Sequence, residues 1–257
     1  MLEFITQNEL LTEFSQQQLI ATLLIFCWTG FVRSGLGFGG SALGLPLMLM
    51  VDDSPLFWLP IIGLHLLFFT SLTLLPRLKN IDWGYTKSSL KYILPAKFIG
   101  VFGLLNLPNE WLVILIYSIT FCYSILWISN LNIKSQSGWS DKLLLTIGGY
   151  VSGTSLTGAP LIVAVFMQHV NKFQLRDTLF ALWFLLVAIK MSTFVLFSVD
   201  LHLLSSILLI PVAWIGHLIG LKMHQHIVHR DLLFKRVTGG ILLAICLLGF
   251  ANIFNLF

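Results

Sequence analysis

Three basic residues lie within the apolar stretches of this sequence: Arg33, Lys97 and Lys190. All eleven Asp and Glu residues fall in predicted loops or at predicted helix ends, so no carboxylate accompanies these cations. A charge at the centre of a membrane costs at least about 2.5–3.5 kcal/mol, which makes a functional role the default interpretation. Either the lysines are deprotonated for lack of water, or a small anion supplies the counter-charge. The structural alternatives are pairing with backbone carbonyls and, for Arg33, extension to the membrane surface.

A glycine-rich run interrupts the first apolar stretch and has a relative further along the chain. It reads G-L-G-F-G-G-S-A-L-G-L-P at residues 35–46. Residues 30–43 and 148–161 share five of fourteen positions. The matched pairs are Gly30/Gly148, Ser34/Ser152, Gly35/Gly153, Gly40/Gly158 and Leu43/Leu161. A second similarity relates P-A-K-F-I-G at 95–100 to P-V-A-W-I-G at 211–216. Broken hydrophobic segments at corresponding places in two halves of a membrane protein indicate a transport site.

Both interrupted stretches are rich in groups that can donate hydrogen bonds to an anion. Helix N-termini and glycine-containing turns present backbone N–H groups. Hydroxyl donors occur at the same places, although small hydroxyl residues also favour close helix packing. These residues are Ser41, Ser152, Thr154, Ser155 and Thr157. Together with the three cations, they predict an anion-binding site.

The composition places most of the chain in a membrane. Hydrophobic residues make up 57% of the 257, charged residues make up 10%, and the mean hydropathy is +0.90. A soluble domain of this length cannot bury so much apolar surface. Twelve of the fifteen Lys and Arg residues lie in four segments, at 77–91, 130–142, 169–177 and 222–236. The remaining connections contain no Lys or Arg and are at 1–17, 51–54, 106–110 and 199–202. This asymmetry predicts that the basic segments are cytoplasmic, and it explains the positive net charge without a nucleic acid partner.

The charge pattern orients the two halves of the chain in opposite directions. Acidic segments flank residues 18–51 and basic segments flank residues 143–168, so each stretch must cross twice or turn back. The first is long enough for two short passes, whereas the second allows only about thirteen residues per arm. We therefore predict an all-α polytopic membrane protein of two inverted-topology repeats, each a glycine-interrupted helical hairpin, short or re-entrant, plus three transmembrane helices. The predicted chain begins with an extracytoplasmic polar N-terminus (1–17). Repeat 1 (18–130) has its hairpin at 18–51 and helices at 55–76, 88–107 and 110–129. A cytoplasmic linker (131–142) leads to repeat 2 (143–257), which has its hairpin at 143–168 and helices at 177–198, 203–221 and 237–256. Both termini are predicted to be extracytoplasmic.

The histidines offer a second kind of chemistry. His65 and His217 are candidate proton carriers, although a histidine within a membrane more often makes a structural hydrogen bond. His224, His226 and His229 are predicted to lie in a solvated basic loop and not to bind a metal. No spacing resembles a nucleophile with its base or a metalloprotease helix. The sequence therefore predicts no catalytic residue, no metal site and no cofactor.

The two glycine-rich motifs together resemble those of the sulfite exporter TauE/SafE family of small bacterial membrane carriers. The run at 35–46 is similar to the family's N-terminal segment, and G-G-Y-V-S-G-T-S-L-T-G-A-P-L at 148–161 is similar to its C-terminal counterpart. The resemblance covers the length, hairpin placement and duplicated organisation of the chain, and it implies a bacterial inner-membrane carrier of sulfite or organosulfur anions. By this resemblance Gly37, Gly39, Gly40 and Gly158 would contact the anion, and Gly35, Pro46, Gly153 and Pro160 would shape the hairpins.

The sequence as a whole predicts a carrier that exports sulfite or an organosulfonate by alternating access around a midplane site between the two hairpins. Arg33, Lys97 and Lys190 would supply charge, and the hairpin amides and hydroxyls would supply geometry. An importer of an organosulfur compound or another small anion is the alternative within transport, and a non-transporting accessory subunit is the alternative outside it. The predicted partners are a small anionic substrate, the lipid bilayer and at most further copies of the chain in a homo-oligomer, with no nucleic acid.

Overall fold

Every regular element that the structure describes is a helix. The computed structural model describes residues 9–36, 40–131, 133, 137–229 and 231–254. A short turn of helix at Glu9–Thr12 and a 3-10 helix at Leu75–Asn80 accompany the longer helices. The longer helices are α1 (Gln16–Leu36), α2 (Gly40–Met48), α3 (Pro55–Leu74), α4 (Trp83–Asn106), α5 (Asn109–Ile128), α6 (Gly138–Ser155), α7 (Ala159–His169), α8 (Lys172–Leu196), α9 (Leu203–His229) and α10 (Asp231–Ile253). The prediction of an all-α protein is confirmed for these ranges.

Seven of the described helices are long and apolar enough to cross a membrane. They are α1, α3, α4, α5, α8, α9 and α10, with apolar spans of 20 to 26 residues. Helices α2 and α7 contain only 9 and 11 residues. At 1.5 Å per residue they extend about 14 and 17 Å, roughly half of a 30 Å hydrocarbon core. The protein is therefore a multi-pass membrane protein that contains two half-length helices.

Each predicted hairpin consists of a long arm followed by a short arm. Helix α1 precedes α2 in the first hairpin, and α6 precedes α7 in the second. The expectation of about thirteen residues per arm in the second hairpin was wrong, because α6 begins at Gly138 and has 18 residues. The Ser137 side chain accepts a hydrogen bond from Ser140 N and caps the helix, which therefore begins five residues before the predicted start.

Both hairpins return to the end at which they begin. In the first, the Gln18 Nε2 amide donates to Val51 O at 2.9 Å. In the second, His169 Nε2 lies 2.8 Å from Asp141 Oδ2. These contacts join the first turn of each long arm to the residues around the end of the following short arm. The breaks between the long and short arms therefore lie at the opposite ends of the hairpins.

The chain divides into two compact units, each built around one hairpin. In the first unit α1 packs against α9, where a Cβ added to Gly30 would lie 2.1 Å from Ala213 O. In the second unit α6 packs against α4, where a Cβ added to Gly149 would lie 2.4 Å from Ile93 O. Such backbone-to-backbone contact requires small residues, as in other membrane helix pairs. In each unit, the long arm of a hairpin contacts the second long helix that follows the other hairpin. The bounds of the first unit are Met1–Ile61, Val113–Asn130 and Leu201–Phe257, and those of the second are Ile62–Leu112 and Leu131–Asp200.

Packing contacts align α4 with α9 differently from the sequence motifs at 95–100 and 211–216. The two alignments differ by one helical turn. Gly100 packs against Gly153 of α6, and Gly220 packs against Gly35 of α1. Since Gly35 and Gly153 are a matched pair, Gly100 corresponds structurally to Gly220 and not to Gly216. The repeated segments are then K-F-I-G at 97–100 and H-L-I-G at 217–220. Lys97 and His217 thus occupy corresponding positions in the two units.

Several helices extend beyond the predicted passes into the basic segments. Helix α8 begins at Lys172, so Asp177 lies inside a helix and is buried. The expectation that every acidic residue lies in a loop or at a helix end was therefore wrong for Asp177. Its carboxylate accepts a hydrogen bond from Asn80 Nδ2 at 2.6 Å and lies 3.5 Å from Arg77 Nη1. These contacts hold the 3-10 helix against α8 and commit Asp177 to a structural role.

Candidate anion site

The break in the second hairpin is determined by residues 156–160. Leu156 adopts a left-handed conformation, with φ 59° and ψ 17°, and its N–H donates to Ser152 O at 3.3 Å. Pro160, near the start of α7, has no N–H and favours a new helix start. A Cβ added to Gly158 would lie 2.0 Å from Gly148 O, so only glycine fits between the two arms. The last carbonyl groups of α6 therefore end inside the protein without helical partners.

Lys97 of α4 reaches this helix end from one side. Its side chain is fully buried. The Nζ atom donates to Ser152 Oγ at 3.2 Å and to Ser152 O at 3.4 Å. Both distances are long for a charge-assisted hydrogen bond, which is usually 2.7–2.9 Å. Lys97 is therefore held loosely beside the hydroxyl that the sequence predicted as an anion donor.

Lys190 of α8 reaches the same helix end and is held more tightly. It is also fully buried, and its Nζ donates to Gly153 O at 2.8 Å and to Thr154 O at 3.1 Å. The ammonium also lies 5.5 Å from the centroid of the Phe194 ring. Two carbonyl acceptors and an aromatic face all favour a positive charge. The structure thus realises the pairing with carbonyls that was the structural alternative for these lysines.

Two lysine side chains converge on the break. Arg77 pairs with Asp177 and His169 pairs with Asp141, and neither buried lysine forms an ion pair with a described carboxylate. The C-terminal end of α6 offers partial negative charge, equivalent to about half an elementary charge. Two ammonium groups at one helix end exceed that compensation when both are protonated. A small anion beside the two ammonium groups would balance the remaining charge.

Three of the predicted hydroxyl donors already use their hydrogens within the second hairpin. Thr154 Oγ1 and Ser155 Oγ donate to Val151 O, each at 3.1 Å. Because the Ser155 hydroxyl has one hydrogen, the 2.5 Å contact between Ser155 Oγ and Thr157 Oγ1 is a bond that Thr157 donates. Ser152 differs from these residues, because its hydroxyl accepts a hydrogen bond from Lys97.

The first hairpin places its predicted residues around the junction of α1 and α2. Arg33 is partly buried in the last turn of α1, and a Cβ added to Gly40 would lie 3.2 Å from Arg33 Cβ. Ser41 is buried in the first turn of α2, and Pro46 lies inside the same helix. Gly37 and Gly39 lie outside the described residues. Arg33 and Gly40 are thus neighbours, as a shared site requires.

His217 contacts the serine that corresponds to Ser152. Ser34 Oγ donates its single hydrogen to Gly30 O at 2.9 Å and makes a short contact with His217 Nδ1. The Ser34 hydroxyl therefore joins the α1 backbone to the His217 ring. The sequence-matched pair Ser34 and Ser152 therefore bonds to His217 in one unit and to Lys97 in the other. His65, the other candidate proton carrier, is buried beside Phe69 with ring centroids 6.2 Å apart.

His224 is a residue that the sequence interpretation assigned wrongly. It is half-buried, and its Nδ1 donates to Gly35 O at 2.6 Å near the end of α1. It lies seven residues after His217 on α9, so both histidines are on one helical face. That spacing was the available signal, and the surrounding basic residues obscured it. The side chains of His226 and His229 lie outside the described part of the chain.

The two units share one arrangement at the end of the long hairpin arm. In the second unit two lysines bind the last turn of α6, and in the first unit two histidines bind the last turn of α1. Cationic or N–H-bearing side chains are favourable there because the last carbonyls of a helix carry partial negative charge. No group of three metal-binding side chains occurs among the described residues.

A comparison with sequence models of protein families identifies the family of this chain. The sequence model of the family described as "Sulfite exporter TauE/SafE" matches residues 22–248, nearly the whole chain. Searches of curated proteins and of solved structures found no match. The matched family consists of membrane transporters and not of enzymes. The chain therefore belongs to the sulfite exporter TauE/SafE family.

Proposed function

We propose that this protein exports a small anion, sulfite or an organosulfonate, by alternating access. The observation that carries the proposal is the meeting of Lys97 and Lys190 at the broken end of α6. Both side chains are fully buried, and among the described residues neither forms an ion pair with a carboxylate. A bound anion would supply the missing counter-charge, and this anion would be the transported substrate.

Lys97 is the better placed of the two lysines to contact the substrate. An ammonium has three N–H donors, and those of Lys97 make only long bonds, both to Ser152. An oxyanion could replace these bonds with shorter charge-assisted ones. The Ser152 hydroxyl keeps its own hydrogen while it accepts from Lys97, and this hydrogen would donate to the same anion. Within the first unit, Arg33 and the residues around Gly40 are proposed to supply charge and N–H donors to an anion.

The membrane potential favours export. With the inside negative, each negative charge that leaves the cell gains about 2.3 kcal/mol per 100 mV. Efflux of an anion therefore needs no co-transported ion. An importer would have to work against this term and would require a coupling ion. The two directions can be separated by imposing potentials of opposite sign.

The test is a flux assay with purified protein in proteoliposomes. We expect sulfite or a small sulfonate such as methanesulfonate to cross at least about tenfold faster than in protein-free vesicles, with the rate increased by a potential that draws anions outward. Vesicles loaded with a neutral solute of similar size serve as the control. Absence of flux for every sulfur oxyanion tested would contradict the assigned substrate class, and uptake driven only by an ion gradient would favour an importer.

We also propose that the basic segments face the cytoplasm of a bacterial inner membrane and that both termini are extracytoplasmic. The support is the concentration of twelve of fifteen Lys and Arg residues in four segments. In a cysteine-free background, Lys87→Cys should react with a membrane-impermeant maleimide only after cell lysis. Asp200→Cys should react in intact cells. The reverse pattern would contradict the orientation.

A further inference from the structure

The C-terminal end of α6 has the chemistry of a monovalent-cation site. Its Gly153 and Thr154 carbonyls point past the helix end and lie among buried residues. Carbonyl oxygens at unwound helix ends coordinate Na⁺ in other transporters, because they combine two or more oxygen ligands with the negative end of a helix. A cation placed here would offset buried carbonyl groups that have no helical partners.

Lys190 already supplies that cation. Its Nζ lies 2.8 and 3.1 Å from the two carbonyl oxygens, and the Phe194 ring covers a further side at 5.5 Å. Lys97, by contrast, bonds to Ser152 at 3.2 and 3.4 Å. The two lysines are therefore not equivalent. The shorter bonds commit the Lys190 ammonium to the helix end, and the longer ones leave Lys97 available to an anion.

We propose that the Gly153 and Thr154 carbonyls form a monovalent-cation site that the Lys190 ammonium permanently fills, so that transport does not depend on Na⁺. Lys190 is then a positioning residue, which fixes the end of α6 and the adjacent Ser152. The Na⁺ independence rests on the proposed transport function, whereas the cation site itself does not. Removing the ammonium should leave a site that a free cation can occupy.

The test compares Lys190→Ala with Lys190→Met by thermal unfolding. We expect both variants to lower the Tm by roughly 5–15 °C, because buried carbonyls lose their cation. For Lys190→Ala, we compare the Tm in sodium or methylammonium chloride with the Tm in N-methylglucamine chloride at equal ionic strength. Either of the first two salts should restore at least about half of the lost Tm. In Lys190→Met the thioether side chain fills the space, so no such recovery is expected. Wild-type protein should not distinguish the three salts.

Equal responses of the two variants, or no difference among the salts for Lys190→Ala, would overturn the proposal. If Lys190→Ala cannot be purified, wild-type flux decides the question. Replacing all Na⁺ by N-methylglucamine should change the wild-type rate by less than about twofold, and a loss of tenfold or more would show that the site needs external Na⁺. Cation-specific recovery of Tm in a protein that moves no anion would support the cation site and contradict the transport proposal. Anion flux without cation-specific recovery of Tm would support the transport proposal and contradict the cation site.

Discussion

Replacing Lys97 with methionine is expected to reduce anion flux by about tenfold to a hundredfold, because a charge-assisted hydrogen bond to the substrate contributes about 1.5–3 kcal/mol. Methionine is close to lysine in length and apolar, so it fills the buried space that Lys97 occupies without leaving a charge. The folded protein should therefore remain stable while transport fails. Initial rates in proteoliposomes, at matched protein content, measure the effect.

Lys91→Met is the matched control for this substitution. Lys91 lies on the same helix, α4, but its side chain is exposed. The two variants lose the same charge from the same element, so a general electrostatic effect would reduce both rates equally. We expect Lys91→Met to retain the wild-type rate within about twofold, since exposed charges are screened. Unchanged flux in Lys97→Met would remove Lys97 from the substrate site.

Replacing Gly216 with alanine is expected to prevent the close packing of α1 against α9. The added Cβ would lie 1.8 Å from Cys27 O and 2.7 Å from Cys27 C, and both are backbone atoms that cannot move aside alone. The helices would have to separate, which also weakens the contacts of Gly30 and Gly220 in the same α1–α9 interface. Such overpacking costs about 1–3 kcal/mol and at times more. A large loss of monodisperse protein on size-exclusion chromatography and a lower Tm are the expected results.

Gly240→Ala tests whether this effect comes from the contact or from the change of residue. Gly240 is also helical, in α10, and no atom lies within 4 Å of its added Cβ. Alanine is a better helix former than glycine by about 1 kcal/mol, so this variant should be as stable as the wild type or more stable. Equal destabilisation by both substitutions would show that the α1–α9 contact is not the cause.

The sequence by itself determined the features that depend on local composition. Long apolar stretches require membrane helices, and the glycine and proline residues around 35–46 and 148–161 interrupt them. The placement of Lys97 and Lys190 within the membrane followed from their positions inside such stretches. The two motifs also pointed to the family that the whole-chain match identifies. These conclusions do not depend on which helices are neighbours.

The tertiary structure decided which atoms these residues contact. Helices such as α4 and α9 are apolar on nearly all sides, so their sequences do not indicate which face meets which partner. For that reason the sequence similarity between 95–100 and 211–216 was offset by one turn, and the pairing of Lys97 with His217 emerged only from the contacts of Gly100 and Gly220. Helix rotation likewise brings His224 to Gly35. Lys190 makes short bonds to the carbonyls at the end of α6, whereas Lys97 makes long ones. These distances depend on packing between distant segments and not on local sequence.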